Sequence, residues 1–107
     1  MRAYASLRRR ADFARVSRTG RRRSAKFLTC LTVDGRERTR IGVTVSAQVG
    51  GAVVRNRVRR RLRAILDRYP FATLPWRDIV FIARPGAGEL SFTDLAAQVE
   101  RTFGAAP

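Results

Sequence analysis

Hydrophobic side chains recur at every second position in Thr39–Ser46, and apolar residues and threonines fill both alternate sets of positions in Lys26–Val33. A period of two is typical of β-strands, whose alternate side chains point to opposite faces of a sheet. A third segment, Asp78–Arg84, is almost continuously apolar, as expected for a strand buried at the centre of a sheet. In the first strand the alternation predicts two opposite faces, one with Phe27, Thr29, Leu31 and Val33 and the other with Leu28, Cys30 and Thr32. Arg21–Arg23 is either a basic connector or a short edge strand.

Apolar residues at helical spacing predict helices over Arg10–Arg18, over Ala52–Tyr69 and after Ser91. Ser91 is placed to cap the last helix, and Asp94 holds the acidic position of a capping box. The last helix should bury a stripe made of Phe92, Leu95, Ala96, Val99 and Phe103.

The order helix, strand, strand, helix, strand, helix predicts one domain over residues 1–107, a sandwich of the α+β or the α/β class; of the two we expect α+β. Asp34-Gly35 is a turn signal of the hairpin type, although its loop is longer than two residues. The segment from Thr39 to Arg84 should form a strand–helix–strand crossover, which the general rule for such connections makes right-handed.

The longest predicted helix sorts its side chains into two faces when it is drawn at about 100° per residue. Its apolar residues fall within an arc of roughly 120°: Val54, Val58, Leu62, Ile65, Leu66 and Tyr69. Asn56, Arg60, Arg63 and Asp67 lie opposite, with Arg57 and Arg59 on the shoulders and Arg55 and Arg61 bordering the stripe. This pattern argues against a disordered basic tail. It favours a rigid ridge of phosphate-contacting arginines over a merely solvated basic face.

The charge of the chain indicates a polyanionic partner. Among 107 residues, 23 are Lys or Arg and 8 are Asp or Glu, which gives a net charge of +15. All of the basic residues except Lys26 are arginines, whose guanidinium groups bind phosphates in a bidentate way. A genome rich in G and C would produce the same bias towards arginine. With 45% hydrophobic residues the chain has enough apolar material for a folded core.

The residues for most catalytic chemistries are missing. Histidine is absent, which excludes Ser–His and Cys–His nucleophilic sites. The single cysteine, Cys30, excludes an intrachain disulfide and leaves no cluster for zinc. The acids are scattered, without the close pair expected of a two-metal nuclease. We therefore predict a binding protein with no catalytic and no metal-ligating residues of its own. The longest apolar run, Ile79–Ala83, is too short to span a membrane, and we expect a cytoplasmic chain.

The stretch from Arg40 to Leu66, RIGVTVSAQVGGAVVRNRVRRRLRAIL, resembles the protein component of bacterial ribonuclease P. The family's Arg-Asn-Arg motif is present as VGGAVVRNRVRRRLR, and the resemblance continues into DIVFIARPGAGELSF. At the front, LRRRADFARVSRTGR is similar to the family's first helix. The resemblance implies an α–β sandwich with a central mixed sheet of about four strands, three helices and a left-handed crossover, against the right-handed default.

The resemblance also implies a function. The protein would be a subunit of a ribonucleoprotein that removes the 5′ leader of precursor tRNA, with magnesium-dependent hydrolysis carried out by the RNA subunit. It would bind no cofactor alone and no membrane, and act as a monomer in a 1:1 complex with ribonuclease P RNA. The RNA-binding residues would be Arg55, Asn56, Arg57, Arg59, Arg60 and Arg63. Asn56 could read base edges or riboses, or simply hydrogen-bond near the helix start.

The family's leader cleft lies between the first helix and the open face of the sheet, and its residues here would be Arg9, Phe13, Ser17, Cys30 and Gln48. Phe13 matches the first aromatic of the family. Ser17 replaces a common Phe, Cys30 a common Tyr, and Ala47-Gln48 a common lysine pair. We therefore expect weaker leader stacking than is usual in the family. Two other functions stay open on composition, a small structural RNA-binding protein of the ribosomal type and a stand-alone metal-dependent nuclease.

Overall fold

A computed structural model describes residues 3–104, which form a mixed β-sheet with helices on both faces. The strands are β1 (Ala5–Ser6), β2 (Arg21–Ser24), β3 (Leu28–Asp34), β4 (Arg40–Val45) and β5 (Arg77–Ala83). The helices are α1 (Arg10–Thr19), α2 (Ala52–Asp67) and α3 (Phe92–Val99), followed by a π-helical turn at Glu100–Gly104. Short 3₁₀ turns lie at Ala47–Val49, Phe71–Thr73 and Ala87–Glu89. No helix in this range is long and apolar enough to cross a membrane.

The strand order is β1-β4-β5-β3-β2, which confirms the central position predicted for β5. Strand β5 runs parallel to β4 and antiparallel to β3. The strand–helix–strand crossover is therefore β4-α2-β5, and its left hand stays a prediction. The hairpin suggested by Asp34-Gly35 is wrong, because β5 lies between β3 and β4. Instead, the turn contacts the loop before β5, where Gly35 N donates a hydrogen bond to Trp76 O (2.9 Å).

The larger core lies between the sheet and the two helices α2 and α3. Cys30, Ile79 and Phe81 from the sheet pack there, together with Leu62 of α2 and Leu95 of α3. A smaller cluster under α1, on the other face, contains Leu7, Val16, Leu31 and Val80. The alternation predicted for β3 is therefore confirmed, except that Phe27 precedes the strand and packs with the larger core.

Helix α3 begins as predicted. The Ser91 side chain accepts a hydrogen bond from Asp94 N (3.0 Å), so the cap satisfies one of the free N–H groups at the helix start. Leu95 and Val99 are buried, but Phe92, predicted within the same stripe, is 37% exposed. Phe92 lies in the first turn of α3, and the Arg68 guanidinium lies over its ring.

Candidate RNA-binding surfaces

Helix α2 is fixed to the protein by its apolar stripe. Val58, Leu62, Ile65 and Leu66 are buried, and Val54 and Tyr69 are partly buried against the same core. This confirms the predicted stripe. Because the stripe fixes the rotation of the helix about its axis, it also fixes which residues face solvent.

The outward face of α2 carries Asn56, Arg60 and Arg63, all of which are exposed. Arg59 is half-buried and donates a hydrogen bond from Nη1 to Asn56 Oδ1 (2.9 Å). The Asn56 amide is therefore held by a neighbour one turn along the helix, and its NH₂ group is left for another acceptor. We call Asn56, Arg59, Arg60 and Arg63 the arginine ridge.

Two further arginines of α2, Arg57 on the shoulder of the helix and Arg61 at the border of the apolar stripe, make contacts within the protein. Arg57 Nη2 donates to Gly88 O (3.0 Å), and Arg61 Nη1 donates to Leu90 O (2.9 Å). Both acceptors belong to the 84–90 loop, which follows β5. Gly88 is needed there, since a Cβ at this position would lie 2.4 Å from Val54 Cγ1. Arg57 and Arg61 thus tie the loop to α2.

Arg55 and Arg57 each keep an unsatisfied donor. Among the described residues, the buried side-chain nitrogens without a hydrogen-bond partner are Nε of Arg55 and Nε of Arg57. Both side chains are half-buried at the start of α2. The motif arginines therefore contribute a partly desolvated positive charge beside the ridge, where attraction to an anion is less screened than at an exposed site.

The second predicted surface lies on the α1 face of the sheet. The Phe13 ring packs directly on β4, because Gly42 has no side chain; a Cβ there would lie 2.4 Å from Phe13 Cζ. Phe13 is only partly buried, so ring area remains exposed. Ser17, one turn further along α1, is exposed.

The other two predicted residues, Arg9 and Gln48, are both exposed. Arg9 is the exposed N-cap residue of α1, and its carbonyl accepts from Phe13 N (3.1 Å). Gln48 is exposed in the 3₁₀ turn that follows β4, the strand under Phe13. The structure therefore places Arg9, Phe13 and Ser17 together on α1, with Gln48 beyond the end of the strand under that helix.

Cys30 does not belong to this surface. It is 1% exposed within the core under α2 and α3, on the face of the sheet opposite to α1. Burial raises the pKa of its thiol to about 12, although the nearby charge of Arg23 acts in the other direction. The leader-binding role expected for Cys30 from the family resemblance is therefore corrected, because its side chain points away from the α1 face.

The structure adds residues to this surface that sequence reasoning missed. Strand register aligns Thr44 with Ile82, Ile82 with Thr29, and Thr29 with Ser24 in one row across four strands. Thr29 is buried and hydrogen-bonded to Ser24 (Oγ to Oγ1, 3.1 Å), whereas Thr44 is exposed. Alternation already separated Thr29 from Cys30, but only the strand order shows which residues lie side by side. We call this row, with Phe13, the α1-face surface.

The acidic side chains of the described residues do not form a metal site. No group of three or more His, Cys, Asp or Glu residues in residues 3–104 could hold a metal ion. Asp78, the buried acid, is instead bound by the guanidinium groups of Arg15 and Arg40. The arginine ridge is suited to binding a polyanion.

Comparison with known proteins points in the same direction. A family model described as Ribonuclease P matches residues 1–106. The ribonuclease P protein component of Acidothermus cellulolyticus is 43% identical over 102 residues, covering 92% of this chain and 84% of the relative. That of Roseiflexus castenholzii is 45% identical over 103 residues, covering 94% of this chain and 83% of the relative.

Solved structures agree in fold. The RNase P protein of Staphylococcus aureus superposes with a TM-score of 0.84 at 25% identity, covering 94% of each chain. The RNase P protein of Thermotoga maritima superposes with a TM-score of 0.77 at 26% identity, covering 88% of this chain and 90% of that chain.

Proposed function

The chain belongs to the ribonuclease P protein family, and on that premise we propose that its arginine ridge binds ribonuclease P RNA while its α1-face surface receives the 5′ leader of precursor tRNA. Membership separates this function from the ribosomal-type alternative, which composition alone left open. In this proposal the RNA subunit carries out the magnesium-dependent hydrolysis. The working complex is one protein with one RNA.

The observation that carries the proposal is the sorting of α2. Its apolar stripe is buried, so Asn56, Arg60 and Arg63 are held outward on a rigid helix. The acidic residue of α2 is Asp67, which lies at the C-terminal end of the helix. Its Oδ1 accepts a hydrogen bond from the Tyr4 hydroxyl (2.7 Å). Asp67 lies one turn beyond Arg63, so the part of the ridge from Asn56 to Arg60 presents positive charge without a carboxylate of α2 beside it. Phosphates of an RNA helix fit this arrangement, because arginine contacts to the backbone position a protein without reading sequence.

Reconstitution tests the proposal directly. The chain is combined with a bacterial ribonuclease P RNA and precursor tRNA at low magnesium, and the cleavage rate is compared with that of the RNA alone. We expect faster cleavage with the protein, and no gain would refute the proposal. Arg60→Ala or Arg57→Ala should also lower the salt dependence of RNA binding by about one phosphate contact, a change of roughly 0.7–0.9 in the log–log slope.

The leader assignment needs its own test, since Phe13 is the aromatic residue that the α1-face surface offers to an unpaired base. Phe13→Leu keeps an apolar side chain over Gly42 but removes the ring. We expect weaker binding of precursor tRNA, by up to about fivefold or 1 kcal/mol, and unchanged binding of mature tRNA. Phe92→Leu, on the opposite side of the sheet, is the matched control. Equal effects on precursor and mature tRNA would contradict the assignment.

The strength of leader binding is a further expectation. With Ser17 and Gln48 in place of an aromatic and a lysine, and Cys30 outside the surface, the α1 face has few stacking and charged groups. We propose that arginines supply a larger share of the affinity for precursor tRNA. Affinity should then change little as the leader is shortened base by base. A steep dependence on individual leader bases would contradict this.

A further inference from the structure

A cavity lies beside the edge strand β2. Its volume is about 730 Å³, and its walls come from β2, the loop before β5, the end of α2 and the C-terminal π-helical turn. Three arginines line it, Arg21, Arg23 and Arg77, and so do the apolar side chains of Leu74 and Phe103 and the ring of Tyr69. We call it the β2 cavity.

The β2 cavity contains positive charge that is not neutralised within the protein. Arg77 pairs with Asp34 (Nη1 to Oδ1, 2.6 Å), but no described residue forms a hydrogen bond or an ion pair with the side chain of Arg21 or Arg23. Arg21 and Arg23 lie two residues apart on β2, so their side chains emerge on the same face of the sheet. Both side chains lie on the face of the sheet where Tyr69, Leu74 and Phe103 form the apolar wall of the cavity.

The β2 cavity and the start of the arginine ridge lie at opposite ends of the sheet. Strand β4 ends at Val45, beside Ala83 at the end of β5, and α2 begins soon afterwards. The cavity lies at the other end, where β5 begins with Arg77. Helix α2 spans about 24 Å between these ends, at 1.5 Å per residue. Phosphates bound near Arg55 therefore do not reach Arg21, and an occupant of the β2 cavity makes a separate contact.

We propose that the β2 cavity is a second RNA site, which holds a single-stranded segment with its phosphates on Arg21 and Arg23 and a base against Tyr69, Leu74 and Phe103. Guanidinium groups suit phosphates, and aromatic and apolar walls suit unpaired bases without regard to sequence. The inference rests on the proposed function in taking RNA as the partner. The segment comes from the RNA subunit or from the precursor tRNA, and both offer the same chemistry.

Charged residues on an edge strand also have a simpler use, because they prevent edge-to-edge pairing with another sheet. Protection of the sheet edge would explain the arginines of β2, but it does not require an apolar wall or a cavity beside them. The two readings make different predictions about RNA binding, which allows one pair of variants to separate them.

Arg21→Gln/Arg23→Gln keeps a polar side chain with hydrogen-bond donors at each position and removes two charges. The matched control is Arg36→Gln/Arg38→Gln, which removes two charges from exposed arginines that do not line the cavity. Binding to ribonuclease P RNA, with and without precursor tRNA, is measured against salt concentration. We expect the β2 variant to lower the log–log slope by about 1.4, or 0.7 for each single-strand phosphate contact, and the control to lower it less. Equal slopes for the two variants, or self-association of the β2 variant with an unchanged slope, would overturn the proposal.

Site-directed probing identifies the source of the RNA. Because Cys30 is buried, a cysteine introduced at Pro75 in the cavity wall can be labelled selectively with iron–EDTA for hydroxyl-radical cleavage. Cuts in the RNA subunit or cuts in the precursor support the proposal and name the source. The positive control is Val53→Cys, 79% exposed at the start of α2. Cuts from position 53 without cuts from position 75 overturn the β2 site alone, and no cuts from either position overturn the proposed function as well.

Discussion

Asp78 shows how one buried carboxylate fastens α1 to the sheet. Arg40 binds it through two nitrogens (Nε to Oδ1, 2.9 Å; Nη2 to Oδ2, 2.7 Å), and Arg15 of α1 adds a third contact (2.5 Å). Burial alone raises the pKa of Asp78, but hydrogen bonds from Arg40 and Arg15 and their charges outweigh it, so the pKa is lowered. A lowered pKa means that the folded state favours the charged carboxylate.

Asp78→Asn should lower the free energy of unfolding at pH 7 by about 2 kcal/mol, since it weakens charge-assisted hydrogen bonds to two arginines. The contribution of Asp78 is fully present above the unfolded pKa of about 3.9 and is lost as the pH falls through the lower folded pKa. Urea unfolding from pH 7 to pH 2 should therefore show the difference between wild type and variant shrinking below about pH 4.

The control for Asp78 is Asp34→Asn. Asp34 pairs with Arg77, but its side chain is 91% exposed, so the change should cost less than about 0.5 kcal/mol. If both variants lose the same stability, or if the loss in Asp78→Asn does not depend on pH, the carboxylate does not hold α1 in the way described.

Gly42 controls the position of Phe13, the aromatic of the α1-face surface. Gly42→Ala places a Cβ within 2.4 Å of Phe13 Cζ, so the ring must move. We expect a loss of about 1–2 kcal/mol in unfolding free energy, the usual range for modest overpacking. Gly51→Ser is the control, because a Cβ at Gly51 meets nothing within 4 Å and serine suits that N-cap position.

A double-mutant cycle shows whether the Gly42 effect acts through the ring. Combined with Phe13→Leu, Gly42→Ala should cost less than it does alone, with an interaction energy of at least about 0.5 kcal/mol. Additive losses would place the strain of Gly42→Ala somewhere other than Phe13.

At the scale of elements, a helix or strand could be predicted when the sequence pattern that specifies it lies within the element itself. Helix α2 could be predicted because its stripe repeats over four turns, and packing on the sheet preserves that period. Strand β1 could not, because it has two residues, Ala5 and Ser6, that pair with Arg40 and Ile41 far along the chain. The Asp34-Gly35 turn was misread as a hairpin because a turn signal does not show that β5 inserts between its neighbours. The leader-binding role expected for Cys30 was wrong for a similar reason. Alternation separates the two faces of β3, but it does not show which face lies under α1.

The neighbouring residues Arg60 and Arg61 of α2 should have different functions, the first in RNA binding and the second in stability. Arg61 donates to Leu90 O and is half-buried, whereas Arg60 is exposed. Arg61→Ala should lower the unfolding free energy by about 1–2 kcal/mol, through the lost hydrogen bond and the lost packing of its stem. Arg60→Ala should change stability by less than about 0.5 kcal/mol but weaken RNA binding and its salt dependence.

Thermal or urea unfolding and RNA titration at several salt concentrations, on both variants, check this separation. Arg61→Lys adds a control that keeps the charge without the planar fork of arginine. Stability loss in Arg60→Ala equal to that in Arg61→Ala would show that α2 is not sorted into tethering and RNA-facing arginines.

At the scale of the whole molecule, a charge of +15 is confined to a fold with a radius of gyration of 12.9 Å. The described ion pairs use six side chains, three of them arginines, so most arginines repel one another without a nearby acid. At 0.01 M salt the Debye length is about 30 Å, comparable with the longest extent of the fold, 35 Å. Self-repulsion then acts across the whole domain, and it opposes the compact state.

The protein should therefore be more stable with anions that bind its arginines. Raising the ionic strength with chloride should increase the unfolding free energy through screening, and sulfate at the same ionic strength should increase it further by binding bidentately to guanidinium groups. Sulfate at ten times its Kd adds about 1.4 kcal/mol for one site. Urea unfolding at millimolar sulfate measures the stabilisation that comes from sulfate binding, because exclusion of the salt from the protein surface is negligible at that concentration. Arg60→Gln/Arg63→Gln should reduce the sulfate increment by more than the chloride one. If sulfate and chloride stabilise equally, repulsion is relieved by screening alone, and the ridge does not bind small anions.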